Sequence, residues 1–236
     1  MITGGIIAAG HGERFKKAFP NIPKPLIEVA GRALLLRTVD EFKRAGIKKI
    51  TIIFRKDITR PCTELLKDEF KDINFEIISK DTKSSCESLI SLFEKTDNND
   101  KLLITTVDSI FKNGALKKFL TKANRLAVKE AIFLGVTSFI DDEKPLYVSI
   151  DSEDKITAIG KETTNKVTCG VYLMPSRLIK GEDHKEFSAL RKFLAHLHSK
   201  KVPFYSIDLG QVIDVDRPED LQFAEKVLTN TEKNLL

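Results

Sequence analysis

Four apolar-rich runs, at 2–8, 49–54, 73–79 and 101–107, some with continuous apolar stretches such as Leu102-Leu103-Ile104, constrain this chain more than any other feature, because segments of helical period separate them. A strand that is apolar on both faces has to be covered on both, as in a parallel sheet wound by crossover helices. Helices are expected near 33–45, 60–70, 84–95 and 113–122, and each crossover should be right-handed. The expected fold class is therefore α/β, a doubly wound, mostly parallel, Rossmann-like sheet. After about residue 131 the texture changes. Ala131–Phe139 reads as a strand, and Leu146–Ile150 and Lys155–Gly160 flank a turn-rich Asp151-Ser152-Glu153-Asp154, a hairpin signal. Antiparallel additions are expected from there on. Val167–Met174 and Phe204–Leu209 read as further strands, Lys185–Ser199 as an amphipathic helix, and Pro218–Leu228 as a closing helix with proline at its start. With no repeat and no linker, residues 1–236 are expected to form a single domain with halves at 1–130 and 131–228 and a frayed tail at 229–236.

Composition excludes several classes. Hydrophobic content of 42% and charged content of 31% are those of a globular protein, not a disordered one. The net charge of +5 is spread along the chain rather than gathered in a block, which argues against nucleic acid as a partner. No apolar run approaches the roughly 18 residues of a membrane span, and the basic-then-apolar order of a signal peptide is lacking. Cys62, Cys86 and Cys169 are odd in number and widely separated, so neither a disulfide framework nor a zinc ribbon is indicated. A reducing, cytoplasmic setting is expected.

The first strand leaves through Ala8-Ala9-Gly10-His11-Gly12-Glu13-Arg14, and Pro23-Lys24-Pro25-Leu26 follows. Small residues and two glycines let backbone N–H groups approach an anion without Cβ interference. Arg14 and Lys24 add positive charge. The loop is not a dinucleotide fingerprint, since Phe15 occupies the place of the third glycine and Glu28 comes too early to hold a ribose. Nor is it a P-loop, because no Gly-Lys-Ser/Thr follows. His11 is expected to face solvent. His196 and His198, two apart on a helix, do not share a face and cannot chelate as a pair.

The opening resembles that of the sugar-1-phosphate nucleotidyltransferases, A-A/G-G-x-G-x-R, about ten residues, then P-K-P/A-L/M. The likeness continues through Val29-Ala30-Gly31-Arg32-Ala33-Leu34-Leu35, where Ala33 replaces the usual proline, and through Lys43-Arg44-Ala45-Gly46-Ile47. Lys17 stands where many relatives have proline. The resemblance implies transfer of a nucleotide from a nucleoside triphosphate to a sugar 1-phosphate, with pyrophosphate leaving. Residues 1–130 would then be the nucleotide-binding half and 131–228 the acceptor-binding half. Ala8, Ala9, Gly10, Gly12 and Arg14 would hold the triphosphate, and Lys24 would stabilise charge on the α-phosphate.

The same resemblance implies Mg²⁺ as cofactor. Asp108, directly after the run 101–107, lies at the C-terminal edge of the sheet, where open α/β folds bind ligands, and offers the hard oxygen that Mg²⁺ prefers. The second carboxylate should come from Val212-Ile213-Asp214-Val215-Asp216-Arg217-Pro218-Glu219-Asp220. Asp214 is preferred, with Asp216 as the alternative ligand or as a cap of the closing helix. Ser84 and Ser85, at the start of the helix near 84–95, are placed to bind the base and are equally good caps. On the acceptor side, Gly170 in Thr168-Cys169-Gly170-Val171-Tyr172 resembles a glycine that lies against the sugar, and also fits a bulge. Lys161 is preferred over Glu162 for the acceptor phosphate, their order being reversed relative to the family. The same framework serves alcohol phosphates such as phosphocholine, and a non-catalytic nucleotide-binding module is the alternative from another class.

Overall fold

The computed structural model describes residues 1–140, 145–160, 164–183 and 186–233. Strand β1 (Ile2–Ala8) is followed by the short helix α1 (Glu13–Lys16), a 3-10 turn at Lys24–Leu26, and the hairpin β2 (Glu28–Val29) and β3 (Arg32–Ala33). Then come α2 (Leu34–Arg44), β4 (Lys49–Phe54), α3 (Lys56–Glu69), β5 (Asn74–Ser79), α4 (Ser85–Glu94), β6 (Lys101–Thr106), β7 (Ser109–Ile110) and α5 (Ala115–Arg125). The second half contributes β8 (Ile132–Thr137), β9 (Val148–Ile150), β10 (Ile156–Ile159), β11 (Val167–Pro175), α6 (Ser176–Lys180), α7 (Leu190–Ser199), β12 (Phe204–Asp208), β13 (Ile213–Asp214) and α8 (Pro218–Lys233).

Seven strands form the main sheet in the order β12-β8-β11-β6-β1-β4-β5. β1 pairs in parallel with both β4 and β6, and β4 with β5. β11 enters between β6 and β8 and is antiparallel to both, so β8 and its parallel neighbour β12 run with the first half of the sheet. The antiparallel character expected from residue 131 onward is thus confined, in the main sheet, to β11. The separate β9–β10 hairpin supplies the rest.

Side-chain alternation splits the core into two layers. Ile6 and Ala8 of β1, Ile50, Ile52 and Phe54 of β4, and Leu103 of β6 point to the face covered by α2, α3 and α5, where Val39, Phe42, Leu66 and Phe119 are buried. Ile7, Ile53, Leu102 and Ile104 point to the other face, against Leu89, Leu92 and Phe93 of α4 and Phe193 of α7. Large aromatics such as Phe42 and Phe54 are wholly buried, as core rather than as stacking platforms. A third apolar cluster, including Phe15, Ile27, Leu34, Ile110, Ile213, Val215 and Ala224, lies where the first loop, β7, β13 and α8 meet.

Two helix starts differ from expectation for identifiable reasons, and a hairpin precedes a third. α3 begins at Lys56 rather than near 60, with Pro61 inside it. A proline there forgoes one backbone bond, and the helix keeps its buried Ile58, Cys62 and Leu66 stripe. α7 begins at Leu190 rather than 185, because Ala189 is extended (φ −155°) and the Leu190 N–H is taken by Ser85 Oγ. The residues before α2 form the β2–β3 hairpin, whose turn puts both Ala30 (φ 48°) and Gly31 (φ 69°) in the left-handed region.

Candidate active site

β1 ends at the C-terminal edge of the sheet, and its exit loop turns sharply at Gly12. This residue has φ 59°, and a Cβ on it would lie 3.3 Å from Lys24 Cβ. Glycine is therefore favoured by the left-handed backbone, and a side chain there would also crowd the lysine stem packed beside it. The loop, Lys24, Asp108 and Asp216 together line a cleft of about 350 Å³, with Ala8, Gly10, Arg14 and Thr106 also in its wall. Ala8 and Gly10 thus reach the cleft. Ala9 turns its side chain into the α4 face of the core, leaving only its backbone for a ligand. His11 is exposed.

Lys24 opens the 3-10 turn at Lys24–Leu26, with Pro23 extended (ψ 138°) before it and Pro25 behind. That rigid entry drives the side chain inward, where it is 9% exposed and its Nζ lies 5.8 Å from the centre of the Phe15 ring. Nζ donates to Asp108 Oδ2 and to Asp216 Oδ1, each at 2.6 Å. Arg14 Nη1 stands 3.5 Å from Asp216 Oδ2. Burial pushes the lysine pKa down, but the Asp108 and Asp216 carboxylates outweigh it and hold the ammonium above the ordinary lysine value. Burial likewise pushes the Asp108 carboxyl up, but the Lys24 ammonium first, with help from the Thr106 hydroxyl, reverses it, so Asp108 stays below the usual carboxylate range.

The structure brings Asp216, not the preferred Asp214, to Asp108. β13 pairs with β7, placing Asp214 opposite Ser109, and the Val215 N–H donates to the Asp108 carbonyl at 3.0 Å. In an unbroken strand residues 214 and 216 would share a face. A tight turn separates them: the Asp216 N–H bonds back to the Asp214 carbonyl at 3.1 Å. Asp214 is left accepting from Ser109 Oγ at 2.7 Å, away from the cleft. Asp216 is not the cap of α8 either. Buried Asp220, in the first turn of α8, instead reaches back with Oδ2 to accept from the N–H groups of Asp216 (2.9 Å) and Arg217 (2.7 Å), ahead of the helix.

Ser84 caps α4, and Ser85 is its first residue. Ser84 Oγ accepts from the Glu87 N–H at 3.1 Å and donates to the Phe187 carbonyl at 3.4 Å, while Ser85 Oγ holds the start of α7. Neither lines the cleft of Lys24. Gly170 sits in a bulge of β11 with φ 73°, its backbone against the hydroxyls of Thr106 and Ser109. Lys161 and Glu162 lie outside the described residues. His196 and His198 take separate partners, Glu182 and the Ile156 carbonyl.

Arg55 was not legible in the sequence. It follows β4, is buried, and donates from Nη1 to the Gly10 carbonyl at 2.6 Å, while Nε and Nη2 grip the two oxygens of Asp57 at 3.0 and 2.9 Å. It thereby fixes the peptide of the glycine loop. The signal available was a charged residue directly after an apolar strand, the same signal that marked Asp108.

Asp108 and Asp216 present two hard oxygen ligands to one point of the cleft, both within 2.6 Å of the same ammonium. This donor set fits Mg²⁺, which takes one or two protein carboxylates and completes its shell with water and substrate phosphates. Among the described residues no cluster of three or more His, Cys, Asp or Glu offers an all-protein metal cage.

A doubly wound α/β sheet here carries a glycine turn, a buried lysine and two carboxylates at its C-terminal edge, where open α/β folds bind ligands. Residues 4–155 match the MobA-like NTP transferase domain, and the chain belongs to that family. Among its relatives is a bifunctional IPC transferase and DIPP synthase of Aquifex aeolicus (strain VF5), 25% identical over 232 residues, covering 97% of this chain and 52% of that one. The chain thus spans about half the length of that curated relative. Its fold is similar to the inositol-1-phosphate CTP transferase from T. maritima, with a TM-score of 0.79, 20% identity and 95% of each chain covered. It is also similar to a putative glucose-1-phosphate thymidylyltransferase from Bacillus anthracis, with a TM-score of 0.83, 20% identity, and 97% of this chain and 95% of that one covered.

Proposed function

We propose that the chain transfers a nucleotidyl group from a nucleoside triphosphate to a phosphorylated sugar or polyol, releasing pyrophosphate. The observation that carries this reading is the ammonium of Lys24 held between Asp108 and Asp216 on the floor of the cleft that the glycine turn walls. Phosphoryl chemistry needs little covalent catalysis. It needs positioned donors and positive charge where negative charge develops. The N–H groups of the Gly10–Gly12 turn and the Arg14 guanidinium bind the triphosphate, and Arg55 keeps the turn in register. Lys24 supports the charge that grows on the α-phosphate as an acceptor oxygen attacks and pyrophosphate departs. Asp108 and Asp216 would hold Mg²⁺, which when bound neutralises phosphate charge.

Residues 1–130 serve the nucleotide and 131–228 the acceptor in this reading, within one domain. The acceptor is a phosphate monoester: a sugar 1-phosphate on the family resemblance, or an inositol phosphate on the printed names of the Aquifex and T. maritima relatives. No helix among the described residues is long and apolar enough to cross a membrane, and Cys62, Cys86 and Cys169 are free thiols, in keeping with a proposed cytoplasmic setting. Pyrophosphate release, measured over a panel of five triphosphates with hexose 1-phosphates, inositol 1-phosphate and phosphocholine, tests the reading. Turnover with one pair, lost in Lys24→Met, is expected. A folded protein that binds nucleotide yet turns over no pair would instead be a non-catalytic module.

A further inference from the structure

The turn that carries Asp108 is fastened from outside the cleft, and we propose that Asp214 is its latch, a positioning residue that acts on Asp108 through Ser109 and Thr106. The turn runs from Thr106, the last residue of β6, to Ser109, the first of β7, with Asp108 at its tip. Its two ends are joined by their own hydroxyls, Thr106 Oγ1 and Ser109 Oγ, 2.8 Å apart. A carboxylate only accepts, so Ser109 donates its proton to Asp214 Oδ1 at 2.7 Å, and the Thr106 hydroxyl beside it also bonds the Asp108 carboxylate. Asp214 therefore sets the direction of the Ser109 hydroxyl, against which Thr106 is seated. The backbone reinforces this: Asp214 is the register partner of Ser109, and the next N–H, of Val215, holds the Asp108 carbonyl.

Gly170 is the fourth part of the device. In its left-handed bulge a Cβ would lie 2.6 Å from Ser109 Oγ and 2.8 Å from Thr106 Oγ1, so any side chain there would push the hydroxyl pair off its seat. The glycine makes room for the latch. Two residues that sequence alone offered as a metal ligand and a sugar contact thus meet on the back of the turn that aims Asp108.

The kinetic part of the test rests on the proposed nucleotidyl transfer. Asp214→Ala and Ser109→Ala should each lower kcat, with misplacement of a reacting group costing up to on the order of 10²-fold, while the KM for the triphosphate stays near wild type. The double variant should lose no more than either single one, since both break one chain of bonds. Asp214→Asn keeps an accepting oxygen for Ser109 and should rescue most of the activity, whereas Asp216→Asn should not. An Asp214→Asn variant as impaired as Asp216→Asn, or an Asp214→Ala variant as active as wild type, would overturn the latch. If Asp214→Ala does not fold, Ser109→Ala and Gly170→Ala carry the same comparison. A second readout needs no turnover: hydrogen exchange at the Val215 N–H should quicken in Ser109→Ala relative to the other sheet amides. Unchanged exchange there refutes the latch even if wild type proves inactive, and inactivity of wild type alone bears only on the transfer reading.

Discussion

Lys24 Nζ lies 2.6 Å from Asp216 Oδ1, across 192 residues of chain, while the same ammonium holds Asp108 Oδ2 at 2.6 Å. One cation thus ties the first loop of the fold to the strand end at residue 108 and to the turn that enters the last helix. Replacing it by an isosteric apolar side chain, Lys24→Met, should lower kcat/KM for pyrophosphate release by roughly 10²–10³, the usual loss for one donor at a developing charge.

The same triad predicts how stability responds to pH. Asp108 is depressed, so its contribution is present above the unfolded carboxyl value of about 3.9 and is lost as pH falls through its folded value. Lys24 is raised, so its contribution is complete below the unfolded value of about 10.4 and is lost as pH climbs through its folded value. Urea unfolding of wild type and Lys24→Met should therefore differ most near neutrality and converge on acidification. A gap that stays constant or widens in acid would contradict the pairing.

Arg55 should matter to nucleotide affinity without touching the reacting atoms. A lysine cannot hold both Asp57 oxygens and the Gly10 carbonyl in one plane. Arg55→Lys should weaken triphosphate binding by about 10-fold or more, as expected for a charge-assisted bond worth ~1.5–3 kcal/mol. Isothermal titration with each triphosphate checks this, and the far-UV spectrum should not change.

A purely structural counterpart sits on α2. Buried Glu41 accepts from the Gly114 N–H at 2.8 Å and the Leu116 N–H at 3.3 Å, capping α5, and pairs with Arg44 Nη1 at 2.9 Å. Glu41→Ala should cost roughly 1–3 kcal/mol in chemical unfolding because those donors lose their acceptor, with turnover per folded molecule unaltered.

The cysteines should be chemically quiet. Burial pushes the Cys86 thiol up to about 11 and Cys62 up to about 12, and Cys169 is raised well above its ordinary value by burial and the nearby Asp214 charge. Thiolate is the reactive form. At pH 8 a disulfide reagent should titrate them only as fast as the fold opens, and all three at once in concentrated guanidinium. A fast single-thiol phase in native protein would show an opening at that site.

What the sequence determined by itself was local. Runs such as Leu102-Leu103-Ile104 read as buried strands because continuous apolarity leaves few other solutions. Gly12, Lys24 and Asp108 were legible because a glycine turn, a proline-framed lysine and an acid at a strand end each carry their geometry in adjacent residues. The tertiary structure decided what depended on distant partners. The choice of Asp216 over Asp214 came from pairing 213–214 with residues 109–110 and from the turn at Val215. Ser84 and Ser85 were tied to Phe187 and to Leu190. The direction of β8 was set by β11 entering between it and β6. In each case the side chain was known but its neighbour lay about a hundred residues away in the chain, or between strands whose order only packing chooses, and no local pattern encodes such a register.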